Sequence, residues 1–172
     1  MADVRPSPSG GGPARFGRRF AALVYDGMLL LAVLFLGTLV LLPLSGGEAI
    51  TPQDSGPWEY LYRGWVALLA LGFFGIPWTR GGQTLGMMSW KIRLQRRGGG
   101  LPGWRDSASR LLIGGAILVA AVAGAWLLRQ AGSWVGGALL LPAALNYLWM
   151  AFDRDSRTLQ DILSGGRVVR VD

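Results

Sequence analysis

Four long apolar segments dominate this chain, at residues 20–44, 58–78, 111–128 and 134–152. Each comes close to the roughly 20 residues a helix needs to cross a hydrocarbon core. The first ends at Pro43 and a Gly46-Gly47 turn. It exceeds the roughly 7–15 apolar residues of a signal peptide and shows no small-residue cleavage site, so it reads as a retained helix. Only residues 129–133 separate the third and fourth, which predicts a tight helical hairpin. Between the second and third, Trp90-Lys91-Ile92-Arg93-Leu94-Gln95 alternates apolar and polar residues, then meets Gly98-Gly99-Gly100. Period two followed by glycines predicts a short strand and a turn. The C-terminal Gly166-Arg167-Val168-Val169-Arg170-Val171 is also strand-like. A lone strand is unstable, so residues 90–97 are expected to pair with 166–171. The expected fold class is an all-α membrane protein, a four-transmembrane-helix bundle with a short cytoplasmic β element. Residues 1–17, rich in Gly, Pro, Ser and Arg, read as a disordered basic tail, and 18–172 as one membrane domain.

Composition agrees with a membrane protein: 51% of residues are hydrophobic and the mean hydropathy is +0.37. There is no Cys, which excludes disulfides and thiolate metal sites. There is no His, which removes the commonest general base and metal ligand. Asp106, Asp153, Asp155 and Asp161 match no metal motif by spacing. The chain is therefore not read as an enzyme, and no cofactor is expected. The net charge of +7 invites a nucleic-acid reading. The charges, however, sort by membrane side. Fifteen of the 17 basic residues fall in three regions: up to Arg19, from Arg80 to Arg110, and from Asp153 onward. Only Arg63 and Arg129 fall toward the other side. The positive-inside rule then places both termini and the middle loop in the cytoplasm of a bacterial plasma membrane. The expected partner is a bilayer with anionic headgroups on that face, not nucleic acid. The opposite loop, 45–57, carries Glu48 and Asp54 and no basic residue.

Asp26 is the only charge between residues 20 and 44. A charge at a helix centre costs roughly 2.5–3.5 kcal/mol on insertion scales. Such a residue persists if it is paired, hydrated or used. Arg19 lies seven residues earlier, on the same helix face but about 10 Å away along the axis. Asp26 therefore needs another partner, and Arg110, at the start of the third span, is the candidate. Two readings follow. Asp26 and Arg110 form an ion pair that fixes helix register, or Asp26 binds and releases a cation or proton in a cytoplasm-facing pocket. The run from Asp153 to Asp161 reads either as an interfacial charge network or as a capped helix end, with Asp155 or Ser156 as N-cap. In Gly81-Gly82-Gln83-Thr84-Leu85-Gly86, Gln83 and Thr84 are expected to cap a short element. No Gly-Lys-Ser/Thr follows, so this is not a phosphate loop. Asn146 is the only amide of the fourth span and is expected to bond a neighbouring helix. Small residues from Gly114 to Gly124 favour close approach by the third.

Taken in order, several motifs resemble the RDD family. They are Arg19 with Asp26, Gln83-Thr84-Leu85-Gly86, and Arg157-Thr158-Leu159-Gln160-Asp161 followed by Gly165-Gly166 and Val168-Val169. The resemblance covers about residues 15–171. It maps the family's one arginine and two aspartates onto Arg19, Asp26 and Asp161. A histidine commonly precedes the last aspartate in that family, and Gln160 stands there here. A basic residue often follows Leu85-Gly86, where this chain has Met87-Met88. The resemblance implies an integral membrane domain that transports ions or small ligands. Some members are linked to sodium/proton exchange and others to assembly of membrane complexes. The expected site is Arg19, Asp26 and Asp161, with Arg110, Gln160, Gln83 and Thr84 as supporting partners, and Asp161 turned back to bond Arg19. Four helices show no inverted duplication, so transport would require a homo-oligomer. The alternative is a non-catalytic scaffold or interaction subunit.

Overall fold

Long runs of Leu, Ala, Val and Phe pair their backbone polar groups internally once they are helical, which suits them to lipid surroundings. The computed structural model describes residues 11–45, 57–131, 134–153 and 156–171. In chain order its elements are β1 (Gly11–Pro13), α1 (Phe16–Leu41), α2 (Pro57–Gly81), α3 (Leu85–Ser89), β2 (Ile92–Arg96), α4 (Trp104–Ala131), α5 (Trp134–Phe152), α6 (Leu159–Leu163) and β3 (Gly166–Arg170). A 3-10 turn, Leu42–Ser45, follows α1. Helices α1, α2, α4 and α5 are long and apolar enough to cross a membrane, and they correspond to the four apolar segments. Two of them begin earlier than hydropathy indicated. Helix α1 starts at Phe16 and α4 at Trp104, so Arg18, Arg19, Arg105 and Arg110 are all helical. Arginine is a good helix former, and apolar content marks the lipid-facing stretch, not the helix end. The loop bearing Glu48 and Asp54 lies outside the described residues.

The strands form one antiparallel sheet in the order β1-β3-β2. Ile92 faces Arg170, Leu94 faces Val168 and Arg96 faces Gly166, so the expected pairing forms. The third strand corrects the sequence reading. Residues 11–17 are not part of a tail: β1 adds to the free edge of β3, and the Ala14 N–H donates to the Val168 carbonyl at 3.1 Å. Gly-Gly-Pro has no strand propensity of its own. It pairs because β3 offers an open edge, where Pro13 is tolerated. Residues 1–10 lie outside the described residues.

The core sits at the end of the bundle that carries the sheet. Ala14, Ala22, Trp78, Met87, Ile92, Leu94 and Val168 form it, with Phe74 packed against them. Along the four apolar stretches only 6–17% of residues are buried. Neighbours meet locally: Trp65 Nε1 donates to the Gly37 carbonyl at 3.0 Å, and Phe16 meets Tyr147 edge-on at 5.4 Å. Helices α4 and α5 pair closely, with Gly124 against Gly136. The molecule is thus a set of apolar helices, sparsely buried along their spans, on a packed base that carries the sheet.

Candidate functional site

Two carboxylates are buried in that base, and they are satisfied in opposite ways. Asp161 belongs to α6. Thr158 is the N-cap of this helix: its Oγ1 accepts the Asp161 N–H at 3.1 Å, and Asp161 Oδ2 accepts the Thr158 N–H at 3.0 Å. This reciprocal capping box corrects the expectation of Asp155 or Ser156 as cap. Ser156 lies two residues ahead of Thr158 and Asp155 lies outside the described residues. Capping turns the Asp161 carboxylate inward, where it meets two guanidiniums. Arg19 Nη1 bonds Oδ2, and Arg110 Nη2 lies 2.6 Å from Oδ1. Asp161 is 0% exposed. Burial works against its charged form. Arg110, then Arg19, and the Thr158 N–H outweigh this and hold the carboxyl below its usual 3.8.

Both arginines reach further. Arg19 Nε donates to the Ala14 carbonyl at 3.0 Å and Nη2 to the Val168 carbonyl at 3.3 Å. One side chain thus ties β1, α1, α6 and β3 together. Arg110 Nη1 donates to Ser164 Oγ at 3.3 Å, and its guanidinium lies 5.9 Å above the Trp78 ring. Gln160 Nε2 donates to the Arg110 carbonyl at 2.8 Å, while its N–H donates to Asn146 Oδ1 at 2.9 Å. Asn146 thus bonds a neighbouring helix, as expected, and that helix is the short α6, whose first turn it holds. Upstream, Asp153 pairs with Arg157 through Oδ1 and Nη2 at 2.9 Å.

Asp26, 4% exposed, sits in α1 beneath α3. Thr84 Oγ1 donates to its Oδ2, and the Gly86 N–H donates to Oδ1 at 2.9 Å. The same Thr84 oxygen accepts the Met87 N–H at 3.2 Å, which makes Thr84 the N-cap of α3. The first turn of α3 carries free N–H groups, and Asp26 takes one of them. Close approach requires Gly86. A Cβ there would lie 2.5 Å from the Ala22 carbonyl oxygen and 2.8 Å from Asp26 Cγ. Gln83 does not cap. Its Nε2 donates to the Ile92 carbonyl at 2.8 Å and its Oε1 accepts from Arg93 at 3.3 Å, so it ties the turn to β2.

The expected Asp26–Arg110 pair is not made. Side chains on a helix lean toward its N-terminus, and Arg110 is engaged by Asp161 and Ser164. Among the described residues Asp26 has no basic partner, only neutral donors. The structure brings Arg19, Arg110, Gln160 and Asp161 into one cluster and Asp26, Thr84 and Gly86 into another. The sequence reading missed the carbonyls of Ala14 and Val168 and the hydroxyl of Ser164. Backbone acceptors leave no mark in composition, and one serine among many offers no signal.

An apolar four-span bundle set on a base of buried arginines and aspartates defines a small polytopic membrane protein. The chain belongs to the RDD family, whose model matches residues 13–165. No curated protein and no solved structure matches it.

Proposed function

We propose that this protein moves a proton or a small monovalent cation, with Asp26 as the group that takes up the charge. The contrast between the two buried carboxylates carries this reading. Asp161 is neutralised by two guanidiniums and has no charge left to offer. Asp26 meets two neutral donors and, among the described residues, no cation. A buried charge without a counter-charge is unfavourable, and a proton or cation supplies what is absent. In this reading the base faces the cytoplasm of a bacterial plasma membrane, supported by the sorting of basic residues. The unit is a homo-oligomer without cofactor or catalytic chemistry, supported by the brevity of the bundle and by its largely unburied flanks.

The test is ion and proton flux in proteoliposomes. Asp26→Asn, whose amide oxygen still accepts the Gly86 N–H and whose NH2 can donate to the Thr84 hydroxyl in place of accepting from it, is expected to abolish flux while leaving the protein folded. Equal flux in variant and wild type removes the carboxylate from the mechanism. One observation favours a second reading, a non-catalytic scaffold or interaction subunit: Thr84 and Gly86 close over Asp26 and leave it almost no surface. In that case no flux appears above empty vesicles, and a stoichiometric partner remains bound in mild detergent.

A further inference from the structure

Helix α3 has two faces. Gly86 and Met87 are buried inward, against α1 and the core. Leu85 and Met88, one turn apart, are 59% and 58% exposed, and Trp90 follows at 44%. A five-residue helix does not hold itself by propensity, so its inner docking fixes this outward apolar strip in place. The strip lies beside Ala22 and Asp26, at the level where the apolar stretch of α1 begins. Tryptophan at that level belongs to the headgroup region of a bilayer.

Two cations stand at the end of the strip. Arg18 Nη1 donates to the Trp90 carbonyl at 3.3 Å, which fixes its guanidinium there. Lys91 is exposed and has φ of 51°, the left-handed conformation that ends a helix and usually belongs to glycine. Its N–H donates to the Met88 carbonyl at 3.1 Å, which closes the last turn. A side chain is disfavoured in this conformation, so a lysine here sets an ammonium at the turn against the backbone's preference.

We infer that the outer face of α3 seats one anionic phospholipid. The phosphate lies between Arg18 and Lys91, and the glycerol and upper acyl chain run along Trp90, Met88 and Leu85. Charge complementarity selects an anionic headgroup, and the apolar strip selects a lipid over a free phosphate ion. This seat is independent of the transport reading, since its readout is bound lipid and not flux.

The test is native mass spectrometry of the full chain, purified in detergent with equal amounts of phosphatidylglycerol and phosphatidylcholine. Each basic residue near an anionic surface contributes about fivefold in affinity. Wild type is expected to retain phosphatidylglycerol preferentially. Lys91→Gly, which removes the charge and relaxes the turn, is expected to lower that retention about fivefold. Adding Arg18→Gln takes the loss beyond tenfold. The exposed pair Arg97→Gln with Arg105→Gln removes as much charge from the same end and is expected to stay within about twofold of wild type. The proposal is overturned if Lys91→Gly binds like wild type, if the control pair loses as much as the seat variants, or if inorganic phosphate displaces the lipid.

Discussion

Asp161 is the residue on which the base of the molecule converges. Its Oδ2 takes a backbone N–H and one guanidinium, and its Oδ1 faces a second guanidinium. Removing one member of such a buried set strands the others, which costs about 3–5 kcal/mol. Asp161→Asn is therefore expected to lower thermal stability in detergent by that order. The pH dependence has a definite sign. The folded carboxyl titrates below its usual 3.8, so its stabilisation is complete above that value and is lost as pH falls through the folded pKa. The gap between wild type and Asp161→Asn should stay constant from about pH 8 to pH 5 and close only below about pH 4. A gap that narrows between pH 7 and 5 would contradict the clamp. The same geometry predicts that swapping charges by Arg19→Asp with Asp161→Arg fails to restore stability. The new guanidinium at 161 would face Arg110, and the Thr158 N–H would lose its acceptor. Triple exchange with Arg110→Glu should recover part of the loss, read by the same melting assay. The high cost of Asp26 in an apolar run was legible in the sequence, but its partner was not. A carboxylate is satisfied by neutral donors as well as cations, and the N–H groups that open a short helix are available in any sequence.

Hydropathy located the four spans because a membrane helix is defined by what it exposes to lipid. It could not locate their starts, since α1 and α4 continue into arginine-bearing turns held by the base. Strands β2 and β3 announced themselves by alternation, whereas β1 is made by its neighbour's open edge. Helix α3 depends most on a single small residue. Gly86 packs against the Ala22 carbonyl and Asp26 with no space for a methyl group. Neither the backbone nor a bonded carboxylate yields easily, so Gly86→Ala is expected to cost about 1–3 kcal/mol. The loss should come by displacing α3, because among the described residues no protein covers Leu85 and Met88 on its other face. Hydrogen exchange would read this as early loss of protection at Gly86 and Met87, with the β2–β3 amides still slow. Uniform loss of protection across base and sheet would mean that α3 is not a separable unit.

At the scale of the whole chain, tight packing is confined to one end. Ile92 and Leu94 are each 2% exposed within the sheet, while the flank of α4 presents Leu118 at 64% and Val122 at 62%. In a bilayer that flank meets acyl chains as apolar as itself, so helix association there gains little from hydrophobicity. The base is different: it packs like a soluble core, around the ion-paired Asp161 and the hydrogen-bonded Asp26. Leu94→Ala should then cost about 2–5 kcal/mol, the usual range for a buried leucine. Leu118→Ala, with few protein contacts to lose, should stay within about 0.5 kcal/mol. Melting both variants in the same micelle, followed by tryptophan fluorescence, compares the two ends directly. Comparable losses would mean that a second copy covers the α4 flank, which crosslinking between cysteines introduced at 118 and 122 of separate chains would then register. A loss at Leu94 alone leaves the base as the one rigid body from which the four helices extend.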